Sequence, residues 1–137
     1  MYFNGGNVIM GGGNSSYDQQ TVVINRELAK TPPVAIISSM NASGSIVVSA
    51  TITNTSSSTI TDAKLYVVIY EDLGTDEHHF TVRDTATPIT VANLPSGASQ
   101  QFSVNSGYTG SKANLKAVVY LKASTGEILQ AALGAAP

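Results

Sequence analysis

The sequence contains no cysteine, no tryptophan and few charged residues. Of its 137 residues, 12% are charged and 42% are hydrophobic, and the formal net charge is −2. Without cysteine the chain has no disulfide, no thiol nucleophile and no cysteine-based zinc site. Its 7 lysines and arginines are scattered singly along the chain. They form no basic stripe of the kind that binds nucleic acid, so we expect no nucleic-acid partner.

Long apolar segments are also missing. The longest uncharged stretch begins at Thr31 and ends before Asp62, and Pro, Asn, Ser and Gly interrupt it. No segment therefore has the roughly 20 apolar residues that a spanning helix needs, and we expect no membrane span. The hydrophobic content excludes a disordered chain, and the length suits one domain with a short appendage.

Hydroxyl side chains are abundant, with 16 Ser and 14 Thr. A surface with few charges and many hydroxyls is more usual in exported or envelope proteins than in cytosolic enzymes. The segment Met1 to Gly5 has neither the basic start nor the apolar core of a signal peptide. Either the chain is cytosolic or its first residue is not the natural start, and the composition favours a bacterial cell-envelope or secreted protein.

From Val34 onward, apolar and polar residues alternate with a period of two, which predicts β-strands. Residues 63–71 are apolar on both faces, which indicates a central strand or one whose outer face is covered. We predict about eight short strands joined by polar turns, the pattern of an antiparallel sandwich. The predicted strands are 34–38, 45–54, 63–71, 78–83, 88–92, 101–105, 114–122 and 127–131.

An immunoglobulin-like topology is the best single assignment for residues 34–137. The Cys, Trp, Cys spacing and the corner tyrosine of antibody domains are absent, so the likeness is to the wider sandwich class. The predicted fold class is mainly β: an immunoglobulin-like antiparallel β-sandwich preceded by a β-hairpin and one α-helix.

Residues 1–33 form a separate strand, strand, helix unit in this interpretation. Residues 1–3 and 8–10 flank a Gly-rich turn, and the helical period begins at Tyr17. Ser16 and Gln19 have the spacing of a capping box, and the prolines at 32 and 33 end the helix. One helix face carries Tyr17, Thr21, Ile24 and Leu28. A unit this small cannot bury enough apolar surface alone, so it must dock on the sandwich, another subunit or a missing sheet.

The chain resembles bacterial envelope proteins in which a thioredoxin-like domain precedes a C-terminal sandwich. The N-terminal part of this likeness is the Tyr2-Phe3-Asn4-Gly5-Gly6 strand and turn, a second short strand ending in Gly-Gly, the helix and the proline exit. The sandwich part consists of the strands LYVVIYED at 65–72, HFTVRD at 79–84, AVVYL at 117–121 and TGEILQA at 125–131.

The chain also departs from that family. The elements that open a thioredoxin-like domain, its Cys-x-x-Cys pair and its cis-proline have no counterpart here. The resemblance therefore implies that only the tail of the thioredoxin-like part is present, that it carries out no thiol chemistry, and that it packs in a new way, for example by exchange between two copies.

Ionisable side chains are most concentrated in the loop 71–79, which holds four carboxylates and both histidines. Carboxylates and imidazoles in one loop are ligand types for a divalent cation. On a strand, however, His78 and His79 point to opposite faces, so a solvated loop with an acidic rim is favoured over a metal site. The weak metal candidates are Asp72, Asp76, Glu77, His78 and His79.

No catalytic signature is present. The chain has no Gly-x-Ser-x-Gly elbow, and neither histidine lies in a recognisable nucleophile motif. Glu71 and Glu77 could face each other across a hairpin as glycosidase acids do, but a sandwich of this size usually lacks the deep cleft. We expect no enzyme activity, no catalytic residue and no cofactor.

Other candidate sites have ordinary structural alternatives. The Gly-rich segment before the helix could seat a phosphate, although a flexible connection explains it as well. Tyr66, Tyr70 and Tyr120 share a predicted outer face where sugars could stack. Packing across strands or cover by the helix is favoured there, and such cover would account for Val68 and Val118 on the same face. Sequons at Asn14, Asn41 and Asn54 are expected by chance in a Ser-rich chain.

Taken together, these patterns predict a non-catalytic structural or interaction module of a bacterial cell-envelope or secreted protein. Self-association through the N-terminal unit is the expected mode of assembly, with a protein or glycan partner also open. Two alternatives remain: a filament or adhesin subunit that assembles by strand donation, and a carbohydrate- or cation-binding module.

Overall fold

A computed structural model describes residues 2–3, 7–8, 13–74 and 79–134. In this part of the chain one helix is followed by a β-sandwich, as predicted. The elements are β1 (Tyr2–Phe3), β2 (Asn7–Val8), α1 (Asn14–Leu28), β3 (Val34–Asn41), β4 (Val47–Asn54), β5 (Ile60–Asp72), β6 (Phe80–Thr85), β7 (Ile89–Leu94), β8 (Ser99–Asn105), β9 (Leu115–Lys122) and β10 (Ile128–Gly134).

The sandwich consists of two antiparallel sheets. One has the order β3-β4-β8, and the other has the order β10-β9-β5-β6 with β7 also paired to β5. Strands β6 and β7 pair with different halves of the long strand β5, because β6 pairs with Val68–Asp72 and β7 with Ile60–Leu65. The prediction that residues 63–71 form a central strand is confirmed.

Alternation along β5 and β9 places one face in the core and the other outside. In β5 the buried aliphatic side chains are Ala63, Leu65, Val67 and Ile69, Glu71 continues the same buried row, and the residues between them are exposed or half-buried. The opposing sheet contributes Val48 and Ile52 among others. The burial of such aliphatic side chains, at roughly 1.5–3 kcal/mol each, is the main stabilising contribution to the sandwich.

Charge is distributed unevenly between the two sheets. The strands β3, β4 and β8 contain no charged residue, so all of their outward side chains are neutral. The cationic and anionic side chains of the described strands lie instead on the five-stranded sheet. That sheet therefore carries the features that can select a partner by charge.

The N-terminal unit has the predicted order. Strands β1 and β2 pair antiparallel, with Tyr2 opposite Val8, and the turn at 4–6 lies outside the described residues. Helix α1 ends at Leu28, before the two prolines. The predicted capping box is wrong: α1 begins at Asn14 after Gly13, no side chain caps it, and Ser16 lies inside its first turn. Division of the chain into units 1–33 and 34–137 stays a prediction.

Candidate interaction surface

The outer face of the five-stranded sheet carries a patch of aromatic and aliphatic side chains. Tyr66 and Val68 on β5 lie directly opposite Tyr120 and Val118 on β9, and all four are half-buried. Their neighbours along each strand point into the core, so the pleat directs these side chains outward. We call this group, together with Tyr70, the tyrosine patch.

Aromatic contacts organise the tyrosine patch. The rings of Tyr66 and Tyr120 stack in parallel, with centroids 4.9 Å apart and an interplanar angle of 2°. Tyr70 meets Phe80 edge to face, with centroids 5.6 Å apart. Burial of the phenol, together with the neighbouring Tyr66, raises the pKa of Tyr120. The predicted cross-strand packing is confirmed.

Exposed apolar residues extend the tyrosine patch on both sides. Phe80 and Leu133 are each 65% exposed, and Val82 is 60% exposed. Tyr70, Phe80, Val82 and Val68 line a shallow apolar cavity of about 210 Å³. Sequence reasoning missed these additions, because only the strand register places Val82 opposite Tyr70 and Leu133 opposite Val118.

Two lysines lie at one end of the same face. Lys64 on β5 is directly opposite Lys122 on β9, next to the stacked tyrosines. Like charges opposite each other destabilise a strand pair. Among the described residues, neither lysine has an ion-pair partner, whereas the remaining cations do have polar partners: Arg26 and Lys30 with Glu27, Arg83 with Glu71, Lys116 with Asp72 and Lys112 with the Gly44 carbonyl.

Helix α1 leaves its apolar side in solvent. Tyr17 is 69% exposed, Leu28 is 77% exposed and Ile24 is 42% exposed. The expectation that α1 covers the tyrosine patch of its own chain is therefore wrong. The C-terminal end of α1 lies instead beside the β9–β10 hairpin. A cavity of about 730 Å³ lies between Ile24 and Leu28 of α1 and strand β10.

Several contacts anchor the segment that follows α1. Lys30 Nζ lies 2.8 Å from both a Glu27 and a Glu127 carboxylate oxygen, which raises the pKa of Lys30 through hydrogen bonds and charge. The backbone N–H of Thr55 donates to the carbonyl of Pro33 at 3.0 Å. These contacts hold the end of the helix beside the β9–β10 hairpin and not above the tyrosine patch.

The loop 71–79 brings together only part of the weak metal set. Asp72 accepts from Lys116 Nζ at 3.0 Å and from the Gly74 N–H at 3.1 Å, and its other carboxylate contact is His79 Nδ1 at 3.2 Å. The hydrogen bond from Lys116 is the main reason that the pKa of Asp72 is lowered. Asp76, Glu77 and His78 lie outside the described residues. Within the described ranges no three acidic or histidine side chains form a metal-binding group.

Glu71 does not face a second carboxylate in the described part of the chain. Its side chain turns inward and lies 2.6 Å from Arg83 Nη2 and 2.7 Å from Arg83 Nε. The predicted partner Glu77 lies outside the described residues. Glu71 and Arg83 thus form a structural ion pair at the edge of the core.

The three sequons differ in accessibility. Asn14 and Asn41 are exposed, whereas Asn54 is completely buried and its amide is fully hydrogen-bonded. Asn54 is therefore a structural residue in the folded chain. Of the predicted Gly-rich phosphate segment, Gly11 and Gly12 lie outside the described residues.

Comparison with known proteins shows that this chain is similar in fold to solved structures. No family model and no curated protein sequence matches the chain. A solved structure of a domain of the outer membrane lipoprotein Omp28 from Porphyromonas gingivalis is similar over 79% of this chain and 93% of that domain, with a TM-score of 0.53 and 12% identity. At this identity the likeness shows a common fold. No described helix is long and apolar enough to cross a membrane.

Two β-glucosidase structures have a lower structural similarity to this chain. The enzyme DesR from Streptomyces venezuelae is matched over 14% of its length, with 9% identity and a TM-score of 0.38. A Bifidobacterium adolescentis enzyme is matched over 16% of its length, with 20% identity and a TM-score of 0.34. Scores this low carry no functional argument. The thioredoxin-like origin of the N-terminal unit stays a prediction.

Proposed function

We propose that the chain is a non-catalytic interaction module of a bacterial cell-envelope or secreted protein, and that it self-associates through its N-terminal unit. The observation that carries the proposal is the exposed apolar side of α1. A helix with Tyr17, Ile24 and Leu28 in water gains its stability from whatever covers that side. The fold shared with a domain of an outer membrane lipoprotein supports the envelope setting.

The immunoglobulin-like assignment belongs to the same proposal. Strands β3, β4 and β8 form one sheet and β5, β9 and β10 belong to the other. Immunoglobulin domains divide strands A, B, E and C, F, G between their sheets in the same way. Domains of this class commonly serve as binding or spacer modules on cell surfaces, which fits a non-catalytic role.

Light scattering on the purified chain tests self-association. We expect the wild-type protein to be dimeric at micromolar concentration, and Leu28→Gln with Ile24→Gln to shift it toward monomer by at least about tenfold in Kd, because the covered apolar area is lost. Ile37→Gln is the matched control, since Ile37 is 76% exposed on the opposite sheet. A strictly monomeric wild type, or equal effects of both changes, would contradict the proposal.

A filament subunit is the second candidate, and strand β8 favours it. β8 pairs with β4 on one side, and no described strand pairs with its other edge. Its sequence, SQQFSVN, contains none of the charges or prolines that protect edge strands. A groove of about 480 Å³ runs beside β8 between Ser103 to Gly107 and the segment 84–89.

Electron microscopy of concentrated protein distinguishes this candidate. If β8 accepts a strand from a neighbour, wild-type protein forms polymers, and a Gln101→Lys change on β8 suppresses them because charge on the edge opposes strand addition. Ser49→Lys on the same outer face, but on the central strand β4, is the control. Particles of uniform small size at all concentrations exclude the filament candidate.

A further inference from the structure

We infer that helix α1 of a second copy docks on the tyrosine patch, with its Asp18 beside Lys64 and Lys122. The inference rests on the proposed self-association and adds the surface that receives the helix. Its starting point is that, among the described residues, nothing covers two apolar surfaces of the chain, the side of α1 and the outer face of the five-stranded sheet. Two copies related by a twofold axis cover both surfaces at once.

The charges of the helix complement those of the sheet. With about 100° per residue, Tyr17, Ile24 and Leu28 share one side of α1, and Asp18 and Glu27 flank that side. Arg26 lies on the opposite side. Glu27 already contacts Lys30. Asp18 is therefore the flanking carboxylate to place near a cation, and no ion pair joins it to a described residue.

Lys64 and Lys122 are the matching cations. They face each other across β5 and β9 at the end of the face next to Tyr66 and Tyr120, and no carboxylate of the described residues pairs with either of them. A carboxylate placed between two ammonium groups converts this repulsion into attraction. The docking helix presents Asp18 beside its apolar side, and the sheet presents two lysines beside aromatic rings. The two surfaces are therefore complementary in both charge and apolar character.

The dimensions of helix and sheet agree. Helix α1 has 15 residues and is therefore about 22 Å long, and at about 3.3 Å per residue the stretch of β5 from Lys64 to Tyr70 is about 20 Å long, so the helix can lie along the strands with Asp18 at the lysine end. A standard specific interface buries at least about 1,200 Å² in total, and the twofold arrangement divides that area between two identical helix-on-sheet contacts.

The helix of the same chain is a poor occupant for this face. Five residues join α1 to β3. Within this segment Lys30 forms an ion pair with Glu127, and the carbonyls of Pro32 and Pro33 accept hydrogen bonds from Thr55. Moving α1 onto its own tyrosine patch would break these contacts. A helix from a second copy covers the patch and leaves them intact.

Cysteine cross-linking tests this arrangement, and the cysteine-free chain makes the test specific. Two single variants, Asp18→Cys and Lys122→Cys, are mixed at dimer-forming concentration and oxidised. We expect a disulfide-linked dimer on a non-reducing gel. The control mixture, Asp18→Cys with Ile37→Cys on the opposite sheet, should give at least about fivefold less product. Equal yields, or no product from the first mixture, would overturn the inference.

A charge exchange gives a second readout. Lys122→Glu should weaken the dimer by about tenfold, because the partner's Asp18 then meets a carboxylate, and Asp18→Lys in the same chain should restore it. If wild type is dimeric and the changes at Leu28 and Ile24 disrupt it, but no cross-link or rescue is found, this inference fails while the proposed function stands. A monomeric wild type removes both.

Discussion

Replacing Asn54 by alanine should destabilise the folded chain by about 3 kcal/mol and lower the melting temperature by on the order of 10 °C. Asn54 is 0% exposed at the end of β4. Its Nδ2 donates to the carbonyls of Ser58 and Leu94 at 2.8 Å each. Its Oδ1 accepts from the N–H and hydroxyl of Ser56 at 2.9 and 2.8 Å. The alanine variant leaves a buried carbonyl without its donor and releases the loop 55–59.

Asn41 is a matched control for this change. It lies at the end of the neighbouring strand β3 in the same Asn-x-Ser pattern, and its Oδ1 accepts from the N–H and hydroxyl of Ser43 at 2.9 and 2.8 Å. Because Asn41 is exposed, water replaces these bonds, and Asn41→Ala should cost less than about 1 kcal/mol. Urea denaturation followed by circular dichroism compares the two. Equal losses would contradict a structural role specific to Asn54.

Breaking the ion pair between Glu71 and Arg83 should have the second large effect. Glu71 is 8% exposed, and two nitrogens of Arg83 contact its Oε2. Arg83→Leu leaves a carboxylate at the edge of the core without its cation. We expect a loss of about 2–3 kcal/mol, below the full range for buried pairs because the arginine is partly exposed.

A double variant separates the pair from its surroundings. Arg83→Leu combined with Glu71→Met should recover most of the lost stability, because an apolar pair has no uncompensated charge. The control is Lys116→Leu, which removes the partner of Asp72 across β5 and β9 and should cause a much smaller loss of stability, because that ion pair is exposed. A double variant no more stable than Arg83→Leu would show that packing, and not charge, explains the loss.

Periodicity predicted the sandwich well, because alternation along a strand is set by burial. It identified 63–71 as central and placed Tyr66, Tyr70 and Tyr120 on one outer face. The ends of strands were less predictable: β5 extends to Ile60–Asp72, and β10 continues to Gly134. Strand ends depend on pairing with neighbours, and a single segment does not contain that information.

The candidate surface could be predicted only in part. Phe80 and Val82 showed a strand pattern, but nothing in that segment indicates that Val82 adjoins Tyr70. The opposition of Lys64 and Lys122 depends on the register of two strands separated by more than 40 residues along the chain. Asn54 resembled a chance sequon, and its buried network became visible only once the loops near Ser58 and Leu94 met.

The helix shows a different limit of sequence reasoning. Its period correctly predicted an apolar side and a helix that ends before the prolines, and the need for a docking partner followed from its size. A periodic pattern reports which side of a helix is apolar and not which surface covers it. The structure shows that α1 does not cover the tyrosine patch of its own chain, and docking on another subunit stays a proposal.

Sedimentation equilibrium of the wild-type chain over a wide concentration range tests the central claim most directly. If α1 of one copy covers the tyrosine patch of another, the mass should rise from 14.2 kDa toward twice that value and then remain constant, because a twofold exchange is closed. A mass of 14.2 kDa at every concentration, or growth without a limit, would contradict the account.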